Sequence, residues 1–176
     1  MSQLGLKNIQ YKSEQMEQIN KLIHSLIPVE SNLNIFGPSG SGKSAWMNYL
    51  IEKSNISGQV LRLDIKEMDE GLFKEVLEKN SFRYILLENI EYLHKENQTC
   101  LAQYIQKSGL ISKPVILSTS TRNLTEIAKE GLLRQDLYYK LTVFKIELPS
   151  LKEISEDIPV LANWYAQLFA PNYKKG

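Results

Sequence analysis

The amino-acid sequence predicts an α/β fold in which five parallel strands lie between two layers of helices. Short, continuously apolar runs such as residues 84–87 (YILL) suit strands that are covered on both faces. These runs alternate along the chain with segments in which apolar residues recur at helical spacing. Such alternation implies right-handed crossovers that place helices on both sides of a parallel sheet.

The helices follow from the spacing of apolar residues and from capping. In the first helix, Met16, Ile19 and Ile23 fall on one face, and the Ser13 side chain is suited to cap its amino terminus. Ser155 is expected to cap the last helix in the same way. In chain order, the predicted helices are residues 13–26, 45–53, 72–79, 96–107, 124–130, 135–141 and 155–169.

The strands follow from apolar runs that stop at turn residues. Residues 32–36 (NLNIF) stop at Gly37, and Pro149 ends the last run. In chain order, the predicted strands are residues 32–36, 60–65, 84–87, 115–117 and 143–148. Because no linker composition interrupts the alternation, we expect one domain over residues 1–176.

Composition narrows the class of protein. A charged fraction of 23% and a hydrophobic fraction of 43% are those of an ordinary globular domain. A net charge of +1 gives no overall field that would hold the chain on DNA or an anionic membrane. The single cysteine, Cys100, excludes an internal disulfide framework. No signal peptide or membrane-length apolar run is present, so we expect a cytoplasmic protein.

The strongest motif is GPSGSGKS, residues 37–44, which fits the pattern of a phosphate-binding loop between a strand and a helix. Its glycines let backbone N–H groups point at phosphate oxygens, and the following helix adds its positive end. Lys43 is expected to reach the β- and γ-phosphates of ATP, and the Ser44 hydroxyl to bind Mg²⁺. The cofactor-binding residues are therefore predicted to be Gly37, Pro38, Ser39, Gly40, Ser41, Gly42, Lys43 and Ser44.

A polar pair follows the third strand, where a phosphate-loop protein needs an acidic residue for the metal. The pair is Glu88-Asn89. Glu88 can support Mg²⁺, but the Asn89 amide cannot accept a proton at neutral pH. We therefore expect the site to bind ATP far better than it cleaves it. Asp64, at the end of the second strand, is interpreted as a solvated carboxylate, and Trp46 as a packing residue.

Two segments carry a family resemblance. ILLENIEYLHKENQTCLAQYIQ and RQDLYYKLTVFKIELPSLKEISEDIPVLA resemble the AAA+ domain of bacterial sigma-54-dependent transcription activators, the NtrC-like response regulators. The resemblance extends over about residues 4–169. It implies a P-loop AAA+ sandwich whose small helical lid is mostly absent, the lid being truncated after about residue 170.

The resemblance also assigns roles to residues outside the loop. Ser120 and Thr121 match the sensor Thr-Asn after the fourth strand. Arg134 and Lys140 match the two arginines that relatives project into the ATP site of a neighbouring subunit, which implies a homo-oligomer with Arg134 acting in trans. Lysine at position 140 keeps the charge but loses the planar fork of an arginine.

The sequence departs from the family in ways that bear on activity. Relatives carry a GAFTGA loop, which contacts sigma-54, between the second strand and the acidic pair. This motif is absent from the 22 residues that separate Ile65 from Glu88. The ATPase positions have also changed together, at Glu88, Asn89, Thr121 and Lys140.

Three functions remain open on the sequence. The first is a regulatory domain that binds ATP or ADP, with weak or absent hydrolysis and no remodelling of sigma-54 polymerase. The second is an active ATPase in which Glu88 serves both metal and base. The third is an interaction domain that needs no nucleotide. Contact with DNA is expected only through a domain not present in this chain, and contact with a membrane is not expected.

Overall fold

The computed structural model describes residues 9–27, 30–54, 60–69, 71–79, 82–108 and 114–169. Within these ranges, five strands form one parallel sheet in the order β2-β3-β4-β1-β5. The strands are β1 (Leu33–Phe36), β2 (Val60–Asp64), β3 (Tyr84–Glu88), β4 (Val115–Ser120) and β5 (Phe144–Glu147). The predicted five-stranded parallel sheet is confirmed. The predicted stop of the lid at about residue 170 lies outside the described residues.

Helices cover both faces of the sheet. They are α1 (Glu14–Leu26), α2 (Lys43–Lys53), α3 (Leu72–Lys79), α4 (Lys95–Ser108), α5 (Leu124–Lys129), α6 (Gln135–Leu141) and α7 (Ile158–Phe169). None of the helices in the described part of the chain is both long and apolar enough to cross a lipid bilayer.

The core divides into two apolar clusters, one on each face. In β3, Leu86 packs into the cluster that contains residues of α1 and α2, whereas Ile85 and Leu87 pack into the cluster formed with α3 to α6. Successive side chains of a strand point to opposite faces, so a strand that is apolar at every position is buried on both sides. The three-layer arrangement is thereby confirmed.

The fourth strand is longer than its apolar run. The sequence predicted an end at Leu117, but β4 continues to Ser120 and stays paired with β1 up to Phe36. The extra residues are polar and fully buried. The Ser118 hydroxyl accepts from the Asn34 amide of β1 at 3.0 Å, the Thr119 hydroxyl accepts from a backbone N–H at 3.2 Å, and the Ser120 hydroxyl donates to a backbone carbonyl at 2.8 Å. Each buried hydroxyl of this segment therefore has a partner. Hydrophobicity alone could not reveal this extension.

The expected cap of the last helix is wrong. Ser155 begins a short 3₁₀ turn, Ser155–Asp157, and α7 starts only at Ile158. Pro159 then lies in the first turn of α7, where a missing backbone N–H costs nothing. The acidic residue of this turn, Asp157, has a different role.

Asp157 ties the start of α7 to the start of α1. Its carboxylate is completely buried and accepts a hydrogen bond from the Ser13 backbone N–H at 3.1 Å. It also accepts from the Lys12 backbone N–H and from the Ser13 hydroxyl. The Ser13 oxygen in turn accepts from the Met16 N–H at 3.3 Å, so the predicted cap of α1 is confirmed. The Asp157 carboxylate therefore links the amino terminus of α1 to the amino terminus of α7.

Replacing Asp157 should destabilise the domain more than any capping change. We expect Asp157→Ala to lower the free energy of unfolding by about 3 kcal/mol, because three donors, two of them buried, lose a charged acceptor. Ser13→Ala should cost about 1 kcal/mol, the value of a lost cap. Ser155→Ala, the matched control, should change it by less than about 0.5 kcal/mol. Urea unfolding measures all three, and a Ser155→Ala loss equal to that of Ser13→Ala would contradict this account.

Candidate functional site

The phosphate loop, Gly37 to Ser44, follows β1 at the carboxyl edge of the sheet and includes the first two residues of α2. Gly40 and Gly42 have φ values of 80° and 88°, in the left-handed region that glycine adopts readily. Gly42 occupies the cap position of α2 without a side-chain hydrogen bond. The backbone therefore curls ahead of a helix amino terminus, as anion binding requires.

Lys43 is folded over this loop. Its ammonium donates to the carbonyl oxygens of Gly37 at 2.7 Å and Pro38 at 2.8 Å. Burial lowers the pKa of Lys43, while the nearby charge of Glu91 opposes that shift. Two backbone oxygens thus occupy the acceptor positions that phosphate oxygens would take.

Ser44 and Glu88 meet across the sheet edge. The Ser44 hydroxyl, on the first turn of α2, donates to the Glu88 carboxylate, at the end of β3, at 2.5 Å. These hard oxygen atoms suit Mg²⁺, which takes few protein ligands and completes its shell with water and phosphate oxygens. No group of three or more His, Cys, Asp or Glu side chains placed to hold a metal occurs within the described ranges. A magnesium ion here would therefore depend on Ser44, Glu88 and the nucleotide.

Asn89 is directed towards β2. It adopts a left-handed backbone with φ of 57°, and its side-chain amide donates to the Asp64 carboxylate at 2.8 Å. Its backbone N–H donates to the Thr119 hydroxyl at 3.2 Å. Asp64 is half-buried and accepts a hydrogen bond within the site, in addition to its contact with solvent.

Thr121 and Glu91 form a pair that the sequence did not predict. The Thr121 backbone N–H and hydroxyl both donate to one oxygen of Glu91, at 2.8 Å and 2.7 Å. Glu91 lies in the 3₁₀ turn Ile90–Tyr92 that follows β3. The sequence does show an acidic residue, Glu91, three positions after Glu88. Its hydrogen-bond partner Thr121 lies 30 residues further along the chain, so the pair could not be recognised from the sequence.

Arg134 and Lys140 lie elsewhere in the structure. Arg134 forms a two-point pair with Asp136, with both nitrogen–oxygen distances at 3.0 Å, and donates to Thr99 of α4 at 3.1 Å. The hydrogen bond to Asp136 raises the pKa of the Arg134 guanidinium. Lys140 donates to the Ala102 carbonyl at 3.5 Å and lines an open groove of about 820 Å³ with Glu30. None of these contacts reaches residues 37–44, and action in trans stays a prediction.

An apolar cavity of about 260 Å³ adjoins the phosphate loop. Tyr11 and Trp46 stack with ring centroids 6.3 Å apart, and Trp46 is only 3% exposed, which confirms that it packs. Ser41 contributes a buried hydroxyl that lacks a hydrogen-bond partner among the described residues. The lining residues, with an aromatic and aliphatic majority, are Tyr11, Met16, Gly40, Ser41, Gly42, Ala45, Trp46, Leu151, Ile154, Ile158, Leu161, Ala162 and Tyr165. Such a cavity beside a phosphate loop suits a flat heteroaromatic ring.

The family model and a curated relative point to one family. The model of the sigma-54 interaction domain family matches residues 11–151. The transcriptional regulatory protein ZraR of Escherichia coli K12 is 31% identical over 99% of this chain and 45% of its own length.

Solved structures share the fold. The crystal structure of NtrX from Brucella abortus in complex with ADP superposes with a TM-score of 0.80 at 23% identity, over 96% of this chain and 43% of that one. The P-loop NTPase domain of a sigma-54 transport activator from E. coli gives a TM-score of 0.63 at 19% identity, over 80% of this chain and 98% of that one. The chain spans less than half the length of ZraR and NtrX.

The first glycine of the loop should be the least tolerant of substitution. A Cβ on Gly37 would lie 2.4 Å from the Leu148 carbonyl oxygen, whereas a Cβ on Gly40 meets nothing within 4 Å. We expect Gly37→Ala to lower the free energy of unfolding by about 3 kcal/mol, from overlap and backbone strain. Gly40→Ala should cost about 1 kcal/mol, from left-handed strain alone. Chemical denaturation of the nucleotide-free domain tests this, and equal costs would refute the role given to the Leu148 contact.

Proposed function

The chain belongs to the sigma-54 interaction domain family, and from that membership we propose that it is the nucleotide-binding AAA+ domain of a cytoplasmic transcription regulator. In this proposal the domain binds ATP with Mg²⁺ and hydrolyses it slowly or not at all. Occupancy of the site, by ATP or ADP, would set the assembly or activity of the regulator. Contact with DNA would be made by another domain.

The observation that carries the proposal is the meeting of Ser44 and Glu88 beside the phosphate loop. Their oxygen atoms lie 2.5 Å apart beside the loop, and these two residues would hold a Mg²⁺ ion. Bound Mg²⁺ would neutralise phosphate charge and orient the terminal phosphates. Lys43 and the loop N–H groups would hold the phosphates, and the apolar cavity beside Trp46 would take the base.

Weak hydrolysis is proposed from the chemistry of Asn89. A neutral amide cannot take a proton from water at neutral pH, and this amide already donates to Asp64 at 2.8 Å. The alternative of an active ATPase would give Glu88 two tasks. The hydrogen bond between Glu88 and Ser44 favours the metal task, because a carboxylate bound to a metal is less free to accept a proton.

Remodelling of sigma-54 polymerase is not part of the proposed function. The 22 residues between Ile65 and Glu88 contain no GAFTGA sequence. Assembly with further copies of the chain is proposed through α6, where Arg134 is 44% exposed and could reach a neighbouring nucleotide in trans. Its pairing with Asp136 would have to open for that contact.

Nucleotide binding can be tested by thermal unfolding. At 100 times its Kd, ATP with Mg²⁺ should stabilise the domain by about 2.7 kcal/mol, which raises Tm by roughly 5–10 °C. Lys43→Ala should remove most of this shift, because the phosphates lose their cation. Lys53→Ala, at the other end of the same helix, should keep it. An unchanged Tm at millimolar ATP would instead favour an interaction domain that needs no nucleotide.

Restoring a carboxylate at position 89 should increase hydrolysis. We expect Asn89→Glu to raise the rate of phosphate release by about 10- to 100-fold, since general bases contribute at least this much. Repulsion from Asp64 would turn the new carboxylate away from β2. Because residue 89 has a left-handed backbone, glutamate there should lower the free energy of unfolding by about 1 kcal/mol. The Tm of the variant must therefore be measured together with its hydrolysis rate. A wild-type protein that turns over at ordinary AAA+ rates, with no gain in the variant, would disprove the role assigned to Asn89.

A further inference from the structure

Glu91 is held in place by the end of the neighbouring strand. Both donors of Thr121, its backbone N–H and its hydroxyl, bond to the same carboxylate oxygen, Oε1, at 2.8 Å and 2.7 Å. A carboxylate fixed by two hydrogen bonds to one oxygen cannot swing freely, and its second oxygen takes a defined direction.

The second oxygen of Glu91 accepts no hydrogen bond from the described residues. This oxygen, Oε2, is buried. A buried carboxylate oxygen without a donor is costly, so such an atom marks a place where a water molecule or ligand belongs. Within the described part of the chain, Glu91 is the one carboxylate with an oxygen in this condition.

The position of Glu91 relative to the phosphate loop follows from its partner Thr121. Thr121 comes directly after Ser120, whose carbonyl accepts a hydrogen bond from the Gly37 N–H at 3.2 Å, so Glu91 is held at the sheet edge where the phosphate loop begins. Burial lowers the pKa of Lys43, and the charge of Glu91 opposes that shift, in keeping with this placement. The two polar residues that precede it, Glu88 and Asn89, form hydrogen bonds with other partners. Glu88 accepts from Ser44, and Asn89 donates to Asp64.

We propose that Glu91 is the catalytic residue that orients the attacking water and takes its proton, and that Thr121 positions it. This inference rests on the proposed function and assigns to Glu91 the slow hydrolysis expected there. The water oxygen forms a bond to the γ-phosphorus while the bond from that phosphorus to the bridging oxygen breaks. The bridging oxygen leaves on ADP with the electron pair. The water proton passes to Glu91 Oε2 and then to solvent, which returns the carboxylate to its charged form.

The first test is single-turnover hydrolysis of ATP with Mg²⁺ by the whole chain, with affinities for ATP and ADP measured in parallel. Glu91→Gln, which keeps the size of the side chain, should lower the rate at least about 50-fold. Its affinities should stay within about 3-fold of wild type, because the loop and Lys43 are unchanged. Thr121→Val should lower the rate about 10-fold at unchanged affinity, and Glu96→Gln, an exposed residue of α4, should change neither.

A second readout separates catalysis from structure. ADP with aluminium fluoride mimics the phosphoryl group in transit, so it should raise the Tm of wild type well above ADP alone and that of Glu91→Gln far less. The double variant Asn89→Glu/Glu91→Gln should recover at least 10-fold of the lost rate, because a carboxylate returns two residues earlier in the chain. Failure of that rescue in a double variant of wild-type Tm would count against a proton-accepting role.

The outcomes distinguish this inference from the proposed function. Wild-type binding of ATP with no phosphate release in a single turnover would overturn the role of Glu91 and leave the nucleotide-binding function standing. The role of Glu91 would also be overturned if Glu91→Gln hydrolyses ATP as fast as wild type, or if its only change is a tighter binding of ATP. If ATP does not bind at all, both proposals fail together.

Discussion

The fold depends on how tightly the end of β1 is confined between its two neighbours. The Gly37 N–H donates to the Ser120 carbonyl on the β4 side at 3.2 Å, and the Leu148 N–H donates to the Phe36 carbonyl on the β5 side at 2.8 Å. The chain turns into the phosphate loop at this point, and the residue at the turn has to be glycine, because a Cβ on Gly37 would overlap the Leu148 carbonyl oxygen. The turn places the phosphate loop at the edge where β3 and β4 also end, so all the polar residues of the site reach it from adjacent strands.

This confinement explains why the three polar residues at the end of β3 and just after it, Glu88, Asn89 and Glu91, have separate roles. Glu88 is still paired in the sheet with Asp64 and contacts Ser44 across β4 and β1. Asn89 leaves the strand in a left-handed conformation that turns it to Asp64. The 3₁₀ turn then brings Glu91 back over β4 to Thr121. A change of amino acid at any one position therefore alters one contact and leaves the other two in place.

Much of this could be predicted from the sequence, because the signals are local. The phosphate loop is a contiguous motif, and the strands are contiguous apolar runs. What could not be predicted depends on distant partners. At the polar end of β4, the buried Ser118 hydroxyl has a hydrogen-bond partner in Asn34. The Asp157 carboxylate accepts from Ser13, and the Glu91 carboxylate accepts from Thr121, in both cases from a distant part of the sequence. The role of Ser155 was misjudged because a serine before a helix and a serine in a 3₁₀ turn look alike in sequence.

The seating of Lys43 on the Gly37 and Pro38 carbonyls has a consequence for how a ligand is received. The two carbonyl dipoles would repel an incoming phosphate, and the ammonium between them cancels that repulsion in advance. The loop is thereby preorganised: its conformational entropy is lost during folding and need not be lost again on binding. When a polyphosphate binds, its oxygen atoms replace the two carbonyl oxygens as hydrogen-bond acceptors of the Lys43 ammonium. The loop should therefore select multiply charged anions, because only these attract the Lys43 ammonium more strongly than the two neutral carbonyl oxygens do.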